Sequence, residues 1–147
     1  MGEREYENPW IYQGTNFTSE HIDDFFGFVY RIINLQNGRE YIGRKYFWQF
    51  RTPKGKKRKV KSESDWKKYY GSCPELKEEI GKIGRENFSR IILSLHHTKG
   101  KTNFEETRQL FAHGVLTEQL DDGTPKYYNS NILSRYFRKD YYGNEND

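Results

Sequence analysis

Tyr30, Tyr41 and Lys45, set around Gly43, are the residues of this sequence best placed to do chemistry together. They lie in two adjoining stretches. The first, Phe26 to Asn34, is aromatic and β-branched, which suits a pleated, half-buried surface. The second runs from Arg39 to Lys45, and between them stands Asn37-Gly38, a strong hairpin signal because a type I′ turn needs positive φ at both central residues. A tight turn there pairs Tyr30 with Lys45, Ile32 with Gly43, Asn34 with Tyr41 and Gln36 with Arg39. Widening the loop slides the pairs but keeps Tyr30, Ile32, Asn34, Tyr41, Gly43 and Lys45 on one face. A free phenol titrates near pH ~10, and a neighbouring cation favours its ionised form. Tyr30 beside Lys45 is therefore a candidate general base. Gly43 inside a strand is the mark of a close approach by a ligand or another chain segment. Read as packing alone, the same face holds two core aromatics and a solvated lysine at a strand end.

This stretch resembles the GIY-YIG nucleases, whose two motifs form the arms of such a hairpin. Tyr41-Ile42-Gly43 matches the second motif letter for letter. Phe28-Val29-Tyr30 stands where Gly-Ile-Tyr is expected and keeps the tyrosine, with Gly27 one place before the family glycine. The resemblance covers roughly residues 26 to 129 and is closest to the short, stand-alone members found in bacteriophages. It implies a DNA endonuclease using Mg²⁺ (or Mn²⁺). It also implies one metal-binding glutamate on a helix after the third strand, and Phe104 to Phe111 supplies Glu106, with Glu105 as the alternative. Mg²⁺ keeps most of its waters and needs only one or two protein carboxylates. The spacing equally allows Glu106 to complete a capping box with Asn103. By the same resemblance Tyr41 positions water or phosphate, Arg51 is the phosphate-binding arginine after the second motif, and Asn129 matches a late asparagine. Arg44 competes with Arg51, although strand parity puts it on the face opposite Tyr30 and Lys45. Two departures touch nucleophile activation: no histidine follows Arg51 in residues 52–60, and the segment after it is longer than the minimal pattern.

That segment carries the charge. The chain of 147 residues has a net charge of +4, from 25 basic and 21 acidic residues. Seven of the basic ones, Arg51, Lys54, Lys56, Lys57, Arg58, Lys59 and Lys61, lie in residues 51–61 with no acid among them. The rest of the chain is mildly acidic. A local patch of this kind points to a polyanion, and with Arg44 and Asn129 these side chains form the expected DNA-binding set. Pro53 and Gly55 predict a flexible loop here.

The remaining elements must hold this hairpin and this patch in place. Residues 1–25 read as a polar arm with one aromatic knot, Trp10-Ile11-Tyr12, and a short helical turn at Thr18 to His21. Pro74 begins a helix that Gly84 ends. Asn87 to Leu95 is apolar on both faces and predicts a central strand. His96 and His97 at its end alternate faces and so cannot share one metal without distortion. Lys99-Gly100-Lys101 reads as a turn and Asn103 as the cap of a helix to His113-Gly114, burying Phe104, Thr107, Leu110 and Phe111. Tyr127 to Ile132 is extended, Ile132 to Tyr142 a final helix, and Gly143 to Asp147 a frayed end.

The fold expected is α+β: a small three-stranded, mainly antiparallel sheet of hairpin plus one later strand, flanked by helices. The organisation expected is an arm (1–25), a GIY-YIG-like domain (26–132) with a basic insertion (51–61), and a basic, aromatic tail (133–147). Aromatic content of 17% offsets low aliphatic content in the core. No run reaches transmembrane length, no signal-peptide stretch opens the chain, and a lone Cys73 makes the cytoplasm the expected compartment. The function expected is metal-dependent DNA cleavage. The alternatives are a DNA-binding module of the same fold without catalysis, and an RNA-binding protein.

Overall fold

The structure, a computed structural model, describes residues 6–142; the expected frayed end at 143–147 lies outside the described residues. The organising hairpin forms as expected, from β3 (Gly27–Asn34) and β4 (Glu40–Tyr46). Its register is not the one a two-residue turn would set. Tyr30 pairs with Gly43, Ile32 with Tyr41, and Phe28, not Tyr30, with Lys45. The cause is Asn34. Its carboxamide oxygen accepts from the backbone N–H of Gln36 (2.9 Å) and Asn37 (3.4 Å), and its carbonyl accepts from Gly38 N–H (2.8 Å). This wider turn needs positive φ only at Gly38 (82°), so the pairing slides by two residues while the shared face is kept.

The main sheet has five strands rather than three, in the order β2 (Thr15–Asn16), β1 (Ile11–Tyr12), β7 (Phe88–His96), β3, β4. The central strand β7 (Phe88–His96) runs antiparallel to β3. The two additions come from the arm. Strand β1 (Ile11–Tyr12) runs parallel to β7 and antiparallel to β2 (Thr15–Asn16). Two-residue strands leave no periodicity to read, and here the neighbours determine the state. Trp10 is fully buried, donates its indole N–H to Trp66 O (2.8 Å) and packs edge-on against Phe28 and Tyr30. Buried Arg90 fastens the arm further. It donates to the carbonyls of Asn8 (2.6 Å) and Tyr69 (2.8 Å) and lies between the rings of Trp10 and Tyr70. The expected boundary at residue 25 thus follows strands that belong to the sheet.

The helices cover the two faces. On one, Trp10, Phe28, Tyr30, Ile32 and Ile92 meet Trp66 and α1 (Pro74–Ile83) through Leu76. Gly84 ends α1 with φ 96° and an extended ψ of 146°, not the left-handed helical ψ. On the other face, Val29 and Ile42 meet Leu110 of α2 (Lys99–Ala112). This helix starts a turn earlier than expected, because Thr98 caps it by accepting from Lys101 N–H (3.1 Å). Lys99 to Lys101 are its first turn, and Asn103 lies inside it. Its inward row is Thr102, Glu106 and Leu110 at i, i+4 spacing, so Phe104 and Phe111, expected in the core, stay 71% and 53% exposed.

Two small ribbons complete the chain. The basic segment is not simply a loop: β5 (Trp48–Arg51) pairs with β6 (Val60–Glu63). The final segment is a hairpin of β8 (Asn131–Ile132) and β9 (Tyr136–Phe137), turned by positive φ at Leu133 and Ser134, and only Lys139–Tyr142 (α3) is helical. No described helix is long and apolar enough to cross a membrane.

Candidate active site at the sheet edge

Strand β4 is an edge of the main sheet, and the chain treats its two halves differently. Along the first half, residues 126–129 add themselves to the edge. Glu40 N–H donates to Lys126 O (2.9 Å) and Tyr128 N–H to Glu40 O (2.7 Å). Asn129 then continues the ladder with its side chain: its oxygen accepts from Ile42 N–H (3.1 Å) and its amide donates to Ile42 O (2.8 Å). Both ends of this buried carboxamide are bonded to Ile42, which makes Asn129 a clasp on the motif strand.

Beyond Ile42 the edge is open. A cavity of about 470 Å³ lies there, lined among others by Tyr41, Arg44, Ser72, Glu106 and Asn129. Tyr41 and Arg44 come from opposite faces of β4, and the cavity wraps the edge between them. Gly43 lets the two motif tyrosines close together beside it. A Cβ on it would meet the Tyr30 hydroxyl at 2.5 Å and the Tyr41 ring at 3.0 Å, so the space a side chain would fill is already occupied by the first motif's phenol.

The electrostatics of the cavity follow from burial. Burial pushes the Tyr30 phenol well above the ordinary 10.0, and Tyr41, Tyr69, a hydrogen bond with Tyr69 and the Glu106 charge push it the same way. Burial likewise raises Tyr41 to about 12, opposed by a hydrogen bond with Ser72. The phenolate-stabilising pair of Tyr30 with Lys45 does not form. Lys45 is held by Asp65 (2.6 Å) and lies over the ring of Tyr69 (4.1 Å). Burial also raises the Glu106 carboxyl, and Arg44 pulls it back down. Arg44 Nε stands 3.3 Å from the Glu106 carboxylate, shielded from solvent, without a well-directed hydrogen bond. Arg44 thus meets the carboxylate on the face that α2 covers, the face opposite Tyr30.

The other expected site residues fall elsewhere. Glu105 is bound by Arg108 (2.6 Å) and Gln109 (2.7 Å), away from the cavity. Arg51 ends β5, exposed, opposite Val60. Lys54, Lys56, Lys57, Arg58, Lys59 and Lys61 are exposed on the ribbon and its tip. His96 and His97 point apart, to Ser94 (2.8 Å) and to Asp24 (3.2 Å). Sequence reasoning missed Ser72 beside Tyr41 and the ring of Tyr69 edge-on to Tyr30. The only sequence signal for either is nearness to Tyr70-Gly71.

The family model described as "Putative endonuclease segE, GIY-YIG domain" matches residues 10–132, with both motif arms inside the match. The chain belongs to the GIY-YIG nuclease family. No curated protein and no solved structure matches it. The match begins at Trp10, so the family domain takes in the two short strands of the arm as well as the GIY-YIG hairpin. Among the described residues no three His, Cys, Asp or Glu side chains come together. Glu106 is the carboxylate in the cavity lining, so a metal there would draw it from the protein. That suits a hydrated Mg²⁺, since Glu106 sits on the inward row of α2 and lines a cavity with room for a cation and its waters.

Proposed function

We propose that this GIY-YIG protein is a Mg²⁺- or Mn²⁺-dependent DNA endonuclease whose reaction takes place at the open edge of β4. The observation that carries the reading is one cavity lined by Tyr41, Arg44 and Glu106, with the buried Tyr30 hydroxyl packed against Gly43 and Tyr41 behind it. Arg44 forks onto oxygens of the scissile phosphate, a geometry suited to guanidinium. Glu106 would hold the cation, which would supply Lewis-acid stabilisation of the charge that develops at the phosphate. Tyr41, fixed by Ser72, orients the phosphate. Tyr30 stays protonated near neutral pH and orients the attacking water through its hydroxyl, with Tyr69 beside it, while the water's proton passes to the surrounding solvent. Lys45 holds Tyr69 and Asp65 in place, and Arg51 with the ribbon lysines grips DNA outside the cavity. The likeness to short phage members supports a role in homing, genome interference or DNA processing inside a bacterial host.

The experiment is nicking of supercoiled plasmid with Mg²⁺, with Mn²⁺ and with EDTA. Open-circle or linear product with either metal, and none with EDTA, is the result expected. Binding without cleavage under every condition would leave a DNA-binding module. Preference for RNA in competition would favour the RNA-binding alternative.

A further inference from the structure

The β5–β6 ribbon stands out from the body at one narrow root. Ser64 N–H donates to Phe47 O (2.7 Å), Ser64 Oγ to Tyr46 O (2.6 Å), and Lys45 pairs with Asp65 (2.6 Å). Beyond that root, residues 50–63 are exposed. Directly opposed residues share a face, so Phe50 and Lys61 lie on one side and Arg51 and Val60 on the other. Each side thus carries a cation beside an apolar side chain that is 50% exposed. The tip adds Lys54, Lys56, Lys57, Arg58 and Lys59, with no acid from residue 51 to 61.

We propose that this ribbon enters the major groove of duplex DNA, with its cations on the flanking phosphates and Phe50 and Val60 against base edges. The inference rests on the nuclease reading and names its substrate as double-stranded. Three features support it. The charge is complementary to DNA and concentrated on a projecting element. A two-stranded ribbon fits a major groove ~12 Å wide, whereas an undeformed minor groove of ~6 Å is too narrow. Cations alone would serve phosphates anywhere, but apolar side chains exposed between them on both faces are of use where thymine methyl groups and base edges are within reach. The geometry also sets a distance. Four paired residues span roughly 13 Å, and the root adjoins the Lys45 end of β4. The gripped groove therefore lies within about one helical turn, ~34 Å, of the scissile phosphate.

The test is binding of the full chain to duplex and single-stranded oligonucleotides in Ca²⁺, over a range of salt. Competitors are methyl green, which occupies the major groove, and netropsin, which occupies the minor. The wild type should prefer duplex at least ~10-fold, a preference that base-edge contact across a groove requires. It should lose binding to methyl green and not to netropsin. Changing Lys56, Lys57, Arg58 and Lys59 together to Gln should flatten the slope of log K against log salt by up to ~3 units. Phe50→Ala should remove the methyl green sensitivity while leaving that slope. Displacement by netropsin instead, equal affinity for single strands, or an unchanged slope in the fourfold variant would each overturn the proposal. Folding of either variant is checked by its melting temperature, since exposed ribbon residues should leave it unchanged. Because binding is read without cleavage, a protein that grips duplex this way but never cuts would sink the nuclease reading and leave the ribbon assignment standing.

Discussion

The hydroxyl of Tyr30 lies in the place of the missing side chain of Gly43, its pairing partner across the hairpin. Gly43→Ala would put a methyl group 2.5 Å from that oxygen and 2.7 Å from the ring carbon bearing it. Overpacking of this kind costs about 1–3 kcal/mol. Both melting temperature and cleavage should fall. The double variant with Tyr30→Phe should lose less stability than the sum of the singles, because the hydroxyl clash is gone, yet recover no activity. Full additivity in thermal melts would mean that the two residues do not contend for this space.

Tyr30→Phe alone removes one hydroxyl from a buried ring and should leave DNA affinity unchanged. Cleavage should fall by about two orders of magnitude, the scale of misplacing the attacking water. Since burial and its neighbours hold the Tyr30 phenol protonated, the ratio of wild-type to variant rates should stay level between roughly pH 7 and 9. A ratio that climbs tenfold per pH unit would show that the phenolate is the working form.

Glu106 is raised above its ordinary 4.5 by burial, so the fold favours its neutral form. A carboxyl with a raised folded pKa contributes stability below pH 4.5 and loses it as pH rises through the folded value. At neutral pH the metal-free protein therefore carries a buried charge that Glu106→Gln removes. The variant should melt a few degrees higher at pH 7, and the gain should disappear toward pH 4. Glu105→Gln loses its bonds to Arg108 and Gln109 and should show no such gain. A lower melting temperature for Glu106→Gln at pH 7 would mean that its pairing with Arg44 outweighs its burial.

Asn129→Ala takes both partners from the backbone of Ile42. Leaving buried backbone groups unsatisfied costs about 1–3 kcal/mol. Amide hydrogen exchange should accelerate at Ile42 more than at Val29, which sits on the neighbouring strand in the same core. Unchanged exchange at Ile42 would show that the edge is held by residues 126–128 alone.

What was legible in the sequence was what local pattern records. The hairpin arms, the Pro74 helix, the central strand through Ile91 and Ile92 and the shared face of Tyr30, Tyr41 and Gly43 are all written in alternation and turn residues. The register was not, because Asn34 redirects the turn through bonds that the Asn37-Gly38 signal does not reveal. That single slide moves Lys45 away from Tyr30 and removes the expected route to phenolate. Strands β1 and β2 were hidden because Trp10 and Arg90, distant in sequence, fix them. Arg44 lies where parity puts it, on the face opposite Tyr30; what the sequence did not reveal is that α2 packs on that face and sets Glu106 beside it.

The central claim is that the cavity at the β4 edge holds the scissile phosphate. Its most direct test is single-turnover cleavage of duplex DNA at saturating protein in Mg²⁺, with binding measured in parallel. Arg44→Ala should slow cleavage by about 100-fold or more, the scale of losing one donor to a charged transition state, with little loss of affinity. Glu106→Gln should do the same, while Arg51→Ala should weaken binding and leave the rate nearly intact. Wild-type rates for Arg44→Ala and Glu106→Gln, with cleavage lost in Arg51→Ala, would place the chemistry at the ribbon and contradict the account.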